Sequence, residues 1–196
     1  VQVYNMYINR EPSFYADITY KNRLWMSGHM TSQQPITFYL NGPNGKNGHP
    51  TDWTKTGYLV RKNISPTQVA RPLVLIRLGE IYLNYAEALN EYDPGNPDIV
   101  KYLDSIRARA GIPVYGTGVN DLPVPASQAE MRQKIWAERR VELAFEYQRW
   151  FDIRRWKIAP QVMGDLHGME INKDGNDFYN RVVATTHKFT NAFYGF

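Results

Sequence analysis

The sequence predicts a mainly α fold, on two apolar periodicities and one capping signal. Leu78, Ile81, Tyr82, Tyr85 and Leu89 recur at offsets of three, four, seven and eleven, which marks one face of a helix over about residues 74–90. Asp93, Pro94, Gly95, Asn96 and Pro97 stop it, and Ile99, Leu103, Ile106 and Ala110 mark a second helix that Gly111 and Pro113 end. Two helices joined by so tight a turn make a hairpin. Ser127 stands three residues before Glu130, the spacing at which a hydroxyl and a carboxylate cap a first turn reciprocally. A third helix is expected from there to about Lys157, roughly thirty residues or 45 Å if unbroken. Its apolar residues wrap most of the circumference, so it reads as a long buried helix with Trp136, Trp150 and Trp156 in the core.

Around these helices the chain is irregular. Residues 14–20, 36–40 and 58–62 are short aromatic or β-branched runs that read as strands. The segment 41–50 is dense in glycine, asparagine and proline, which favour turns and positive φ, so it reads as an exposed, mobile loop leading to Trp53. Beyond Pro160 a polar region rich in glycine and asparagine precedes a strand over residues 181–189 and an aromatic tail. A chain of 196 residues suits one core of ordinary size, divided into an irregular β and loop lead (1–70), a helical core (71–160) and a loop and strand tail (161–196).

Composition narrows the function classes. Hydrophobic residues at 43% and charged residues at 21% are ordinary globular values, which exclude a disordered or fibrous chain. The net charge of +4 comes from basic residues interleaved with acidic ones, so no nucleic-acid footprint stands out. Without cysteine there is no disulfide framework, thiolate metal site or cysteine nucleophile in these residues. No stretch approaches the roughly 18 apolar residues of a membrane-spanning helix, and the first ten residues do not have the pattern of a signal peptide. The chain starts without Met inside a strand-like run and reads as a fragment. The unusual value is 14% aromatic, with 14 Tyr and 5 Trp; flat rings beyond the needs of a core suit stacking on sugars or bases.

Reaction chemistry finds little support. Glu138, Glu142 and Glu146 fall on one helical stripe and could suggest the paired carboxylates of a glycosidase, but one stripe does not aim two carboxylates at opposite faces of a substrate. Arg139, Arg140, Arg149, Arg154 and Arg155 interleave with them, so these charges are expected to pair with each other and with Arg107 and Arg109. His29, His49, His167 and His187 are scattered without metal-ligand spacing, and Asp174, Gly175, Asn176 and Asp177 read as a plain turn rather than a calcium loop. No phosphate loop and no Gly-x-Ser-x-Gly elbow occurs. No cofactor is expected.

Leu78, Gly79 and Tyr82 fit the Leu-Gly-x-x-Tyr core of a tetratricopeptide repeat, although Glu91 stands where the repeat expects its packing alanine. Three phrases are more specific. They run from Ile76 through Arg77, Leu78, Gly79 and Glu80 to Leu89; from Ile106 and Arg107 to Gly111, Ile112 and Pro113; and from Glu138, Arg139 and Arg140 through Glu146 to Arg149, Trp150, Phe151, Asp152 and Trp156. In this order they resemble the SusD/RagB family of surface lipoproteins, and Arg10 to Tyr15 and Gly57 with Tyr58 are similar to further family phrases. The resemblance implies a SusD-like fold and non-catalytic capture of a glycan at the outer-membrane surface. The partner it implies is a SusC-like TonB-dependent transporter, with a lipid anchor outside this chain, since family members are typically more than twice as long.

Sugar recognition needs a ring face for the apolar side of a pyranose and polar partners for its hydroxyls. Two places offer both: Asn22, Arg23 and Trp25 after the first strand-like run, and Asn41, Asp52 and Trp53 beside the glycine-rich loop. These six are the candidate ligand-binding residues. A helical-repeat scaffold for protein partners and a glycoside hydrolase are the alternatives.

Overall fold

The computed structural model describes residues 4–25, 34–64 and 74–188. In chain order these form α1 (Pro12–Asp17), β1 (Ile18–Thr19), β2 (Leu59–Val60), α2 (Leu78–Tyr92), α3 (Pro97–Ala110), α4 (Gln128–Glu142), α5 (Gln148–Arg155), α6 (Ala159–Val162), β3 (Asp165–Met169) and β4 (Arg181–Thr186), with 3-10 turns at Asn5–Tyr7 and Gly175–Tyr179. The fold is mainly α, as the periodicities require. The chain forms two compact units: Glu11–Ser13 with Pro72–Phe151, and Val1–Arg10 with Phe14–Arg71 and Asp152–Phe196.

The helical unit is built on α2, α3 and α4. Asn96 caps α3 by accepting the Asp98 N–H at 3.0 Å, Pro97 supplies a first-turn residue with no N–H to satisfy, and Gly111 closes the helix at φ 71°. The expected stop signals therefore act where they were read. Ile99, Leu103 and Ile106 of α3 are buried with Leu83 and Ala86 of α2 and Met131 and Ile135 of α4. In α2 the expected face is wrong: Leu83, Ala86 and Asn90 point inward, Tyr82 and Leu89 are partly buried, and Leu78, Ile81 and Tyr85 are exposed. The sequence carries apolar residues on two sides of this helix, and only packing against α3 and α4 decides which side is the core.

The long third helix also proves to be two. Ser127 accepts the Glu130 N–H at 3.2 Å as expected, while the Glu130 carboxylate reaches back to the N–H of Ala126 at 3.0 Å. But α4 ends at Glu142, and Phe145 and Tyr147 adopt φ of 65° each before α5 begins at Gln148. No helix continues through left-handed residues. Leu143 turns into the core, whereas Val141, Phe145, Tyr147, Trp150 and Phe151 are exposed. Trp136 and Trp156 are half-buried, so of the three tryptophans assigned to the core none is fully enclosed and Trp150 lies outside it.

The break coincides with the charge pairing of this unit. Arg77 donates from Nη1 to Glu142 Oε1 at 2.6 Å, from Nη2 to the Glu142 carbonyl at 2.8 Å, and from Nε and Nη2 to Glu146 at 2.6 and 2.8 Å. Arg109 adds a two-oxygen hold on Glu142 at 2.7 and 2.6 Å, and Arg107 meets Glu138 at 2.5 Å in a largely buried pair. Of the expected partners, Arg107 and Arg109 hold Glu138 and Glu142, and Arg77, which the sequence did not single out as a partner, holds Glu142 and Glu146. A Cβ on Gly79 would lie 2.5 Å from Arg77 Nη1 and 3.2 Å from Glu142 Oε1, so this glycine leaves room for the ion pair between them. Glu91, in place of a packing alanine, instead receives both Nε and Nη2 of Arg132 at 2.6 Å.

The other unit has an aromatic core of Tyr7, Tyr20, Phe38, Phe178 and Tyr179 with Ile36. Tyr7 stacks on Tyr20 at 4.8 Å between ring centres and meets Tyr58 and Tyr179 edge-on. Much of the aromatic excess therefore serves packing. Residues 14–20 do not form the expected strand, because Pro12 opens α1 with φ already set for a helix; only Ile18 and Thr19 extend, pairing antiparallel with Val60 and Leu59. Residues 36–40 form no strand either, and instead send Ile36 and Phe38 alternately into the aromatic core. The expected strand over 181–189 forms as β4 through Thr186, paired with β3, which the glycine-rich sequence had not announced; Phe189 and the aromatic tail lie outside the described residues. A Cβ on Gly168 in β3 would fall 2.5 Å from the Lys55 carbonyl oxygen.

Two stability outcomes are expected. Tyr7 donates its hydroxyl to the Gly57 carbonyl at 3.0 Å inside the aromatic core, and burial raises its pKa so that it remains a donor. Tyr7→Phe leaves that carbonyl without its partner and should cost about 1–3 kcal/mol in denaturant unfolding. Burial pushes the Glu138 carboxyl above its ordinary range, with Arg107 pulling the other way. A carboxyl that titrates higher folded than unfolded stabilises most at pH below the ordinary carboxylate range, and that contribution is lost as pH rises through its folded titration. The melting temperature of the wild type relative to Glu138→Gln should therefore fall as pH rises from acid to neutral; a difference that is flat or rises would contradict this.

Candidate functional site

The segment 41–50 is a chain of interlocked turns. Gly42 donates to the Tyr39 carbonyl at 2.9 Å, Asn44 to Thr37 at 3.1 Å, Gly45 to Gly42 at 2.9 Å, Asn47 to Leu40 at 2.9 Å and His49 to Gly45 at 2.8 Å. The Asn44 side chain accepts the Thr37 N–H at 3.2 Å. Glycine is required where this backbone folds on itself: Gly45 is buried, and a Cβ there would lie 1.7 Å from the Tyr39 oxygen. The loop is exposed at Asn41, Pro43 and residues 47–50, but Gly42 and Gly45 are its packed inner side, which the reading of a loose loop had missed.

These turns fix a polar network, one member of which, Lys46, lies against Trp53. Asn41 donates its backbone N–H to Asp174 Oδ1 at 2.9 Å and its side-chain amide to Asp174 Oδ2 at 2.5 Å, and accepts from the Asn47 amide at 2.7 Å. Lys46 donates to Asn172 Oδ1 at 2.7 Å, and its ammonium lies 5.8 Å from the centre of the half-buried Trp53 ring. Asp52 is exposed, with its N–H on the His49 carbonyl at 3.2 Å. Together with the indole, the network offers one ammonium, and amide and carboxylate groups of both polarities, which can donate to and accept from hydroxyls. Asn172 and Asp174 are 126 and 133 residues from their partners Lys46 and Asn41, so no local signal could have tied them to this loop.

The other candidates hold their own chain. Asn22 takes φ 66° in a turn, with its N–H on the Ile36 carbonyl at 2.9 Å. The Arg23 guanidinium lies 5.4 Å from the centre of the Tyr20 ring and donates to the Tyr15 carbonyl at 3.4 Å, while Trp25 packs half-buried against the aromatic core. Asp174 to Asp177 lead into the 3-10 turn Gly175–Tyr179, and no cluster of three metal-ligating side chains occurs among the described residues. His29 lies outside them. No described helix is long and apolar enough to cross a membrane.

Comparison with known proteins places this arrangement in a family. The family model described as "SusD family" matches residues 1–194. SusD-like protein P2 of Formosa agariphila is 38% identical over 106 residues, 53% of this chain and 21% of that protein; SusD-like protein P38 of the same organism is 33% identical over 109 residues, 55% of this chain and 21% of that one. A solved SusD-like protein of Bacteroides fragilis, 29% identical, superposes over 95% of this chain and 35% of its own with a TM-score of 0.75. A structure titled as a SusD-like carbohydrate binding protein from the same species, 22% identical, shares the fold with a TM-score of 0.67 over 96% of this chain and 39% of its own. The chain thus spans about a fifth of the curated relatives it matches and about a third of the solved ones. On the family match across nearly its whole length, with the helical phrases and the fold in agreement, the chain belongs to the SusD family.

Proposed function

We propose that the full-length protein captures glycan at the external face of the outer membrane, without catalysis, and passes it to a SusC-like TonB-dependent transporter. Family membership supports this reading, and one of the solved relatives carries the description carbohydrate binding in its title. The observation that carries it to specific residues is the network that reaches Trp53 through Lys46. There the Lys46 ammonium lies 5.8 Å from the centre of the Trp53 ring, and the glycine-built loop that carries Lys46 also holds Asn41 and Asn47, with Asp174 bound to Asn41. The apolar face of a pyranose stacks on such a ring while its hydroxyls exchange hydrogen bonds with amides and carboxylates. Asn22, Arg23 and Trp25 form a second contact region in this proposal, subordinate because their described interactions hold the local chain.

The non-catalytic part rests on Glu138, Glu142 and Glu146. Each is engaged by arginine, and a carboxylate held by Arg77 and Arg109 together is poorly suited to donate or accept a proton in a glycosidic cleavage.

Screening the full-length protein on a glycan array, followed by titration of the best oligosaccharide against tryptophan fluorescence, tests the site. Trp53→Ala should weaken binding by about tenfold or more, equivalent to ~1.4 kcal/mol, with the melting temperature preserved. Gly45→Ala should lose affinity as well, because the loop cannot close with a Cβ against the Tyr39 carbonyl. Glu142→Gln should do the reverse, lowering the melting temperature while affinity holds. Unchanged affinity in Trp53→Ala removes this loop from the site, and release of reducing ends by the pure protein, abolished in Glu142→Gln, replaces capture with hydrolysis.

A further inference from the structure

All three Asn-Gly steps of the chain lie in the loop 41–50: Asn41-Gly42, Asn44-Gly45 and Asn47-Gly48. An asparagine before glycine can lose its side-chain amide without an enzyme, because the glycine nitrogen, with no β-carbon beside it, reaches back to the asparagine Cγ. The reaction needs that nitrogen free of a hydrogen bond and a backbone loose enough to close a succinimide ring. The fold treats the three steps differently. Gly42 and Gly45 are buried, and their nitrogens are committed to the Tyr39 and Gly42 carbonyls, each at 2.9 Å. Their asparagines are held too: the Asn41 amide donates to Asp174 Oδ2 at 2.5 Å, and Asn44 Oδ1 accepts the Thr37 N–H at 3.2 Å. Asn47 and Gly48 are exposed, and the Gly48 N–H has no hydrogen-bond partner among the described residues. The Asn47 side chain is tied at the surface, its amide donating to Asn41 Oδ1 at 2.7 Å.

We propose that Asn47 is a site of spontaneous deamidation, and that its conversion loosens the loop from the segment 172–174. The Gly48 nitrogen gives its proton to solvent and bonds to Asn47 Cγ. The Cγ–Nδ2 bond breaks, ammonia leaves, and water opens the succinimide to aspartate or isoaspartate. No oxidant or cofactor enters. The product carries a carboxylate where a donor stood. Asn41, which accepts from Asn47 and donates to Asp174, then faces an acceptor on both sides, and no orientation of its amide satisfies both.

Holding the native full-length protein in mildly alkaline buffer, with tryptic mapping by mass spectrometry, tests this. Cleavage after Arg23, Lys46 and Lys55 puts Asn47 on one peptide and Asn41 with Asn44 on another. In the native protein, amide-to-acid conversion should run several-fold faster at Asn47 than at either other asparagine. In urea, where local protection is gone, the three should convert at comparable rates. Equal native rates overturn the proposal, as does native conversion that is fastest at Asn41 or Asn44, or that spares Asn47 while the unfolded chain converts. For the loosening, Asn47→Asp should raise amide hydrogen exchange over residues 41–46 several-fold, and Asn47→Ala, which removes the donor without adding an acceptor, should raise it less. Exchange no faster in Asn47→Asp than in Asn47→Ala overturns that part. Neither readout involves glycan, so both stand or fall separately from the binding site proposed at Trp53.

Discussion

The helical unit is organised by what happens at Arg77. One guanidinium binds two carboxylates and a backbone carbonyl around the end of α4, and so ties the residue before α2 to the turn where the next helix would have continued. Removing one partner from such a partly buried cluster leaves the others with uncompensated charge, which is why these pairs are costly to break even where forming them gains little. Three local features follow. Gly79 leaves space that a β-carbon would take from the guanidinium as it is now placed, Arg109 supplies a second positive charge to Glu142, and the chain turns at Leu143 to Tyr147 through two left-handed residues instead of extending α4.

The aromatic unit shows a different economy of the same residue types. Tyrosine rings stack and meet edge-on around Tyr7, whose hydroxyl satisfies a carbonyl that would otherwise be buried without a donor. Rings used in this way are unavailable to a ligand. Trp53 differs in its surroundings: it follows a loop folded so tightly that only glycine fits at Gly45, and the Lys46 ammonium beside its ring bridges to the distant Asn172. A binding loop held by its own backbone hydrogen bonds and by a second segment is pre-organised, and less ordering entropy opposes capture of a flexible sugar.

Apolar surface on α2 and after α4 belongs to the same description. A solved SusD-like protein of Bacteroides fragilis is nearly three times as long as the region matched here. The portion here contains helices with both an inner and an outer apolar side.

What the sequence determined by itself was local. Asn96, Pro97 and Gly111 bounded α3, Ser127 opened α4, and the three phrases starting at Ile76, Ile106 and Glu138 together marked the family, because caps, turns and motifs act over a few residues and need no distant partner. The six ligand candidates were legible only as residue types; the Lys46, Asn172 and Asp174 neighbours of the Trp53 loop were not, since contacts across more than a hundred residues leave no trace in spacing. Only tertiary structure decided which of two apolar stripes on α2 faces inward, because periodicity fixes angles around a helix and not what lies opposite them. It also decided that the helix from Ser127 stops at Glu142: neither glycine nor proline marks the place, and the break lies where two carboxylates four residues apart converge on the arginine that precedes α2.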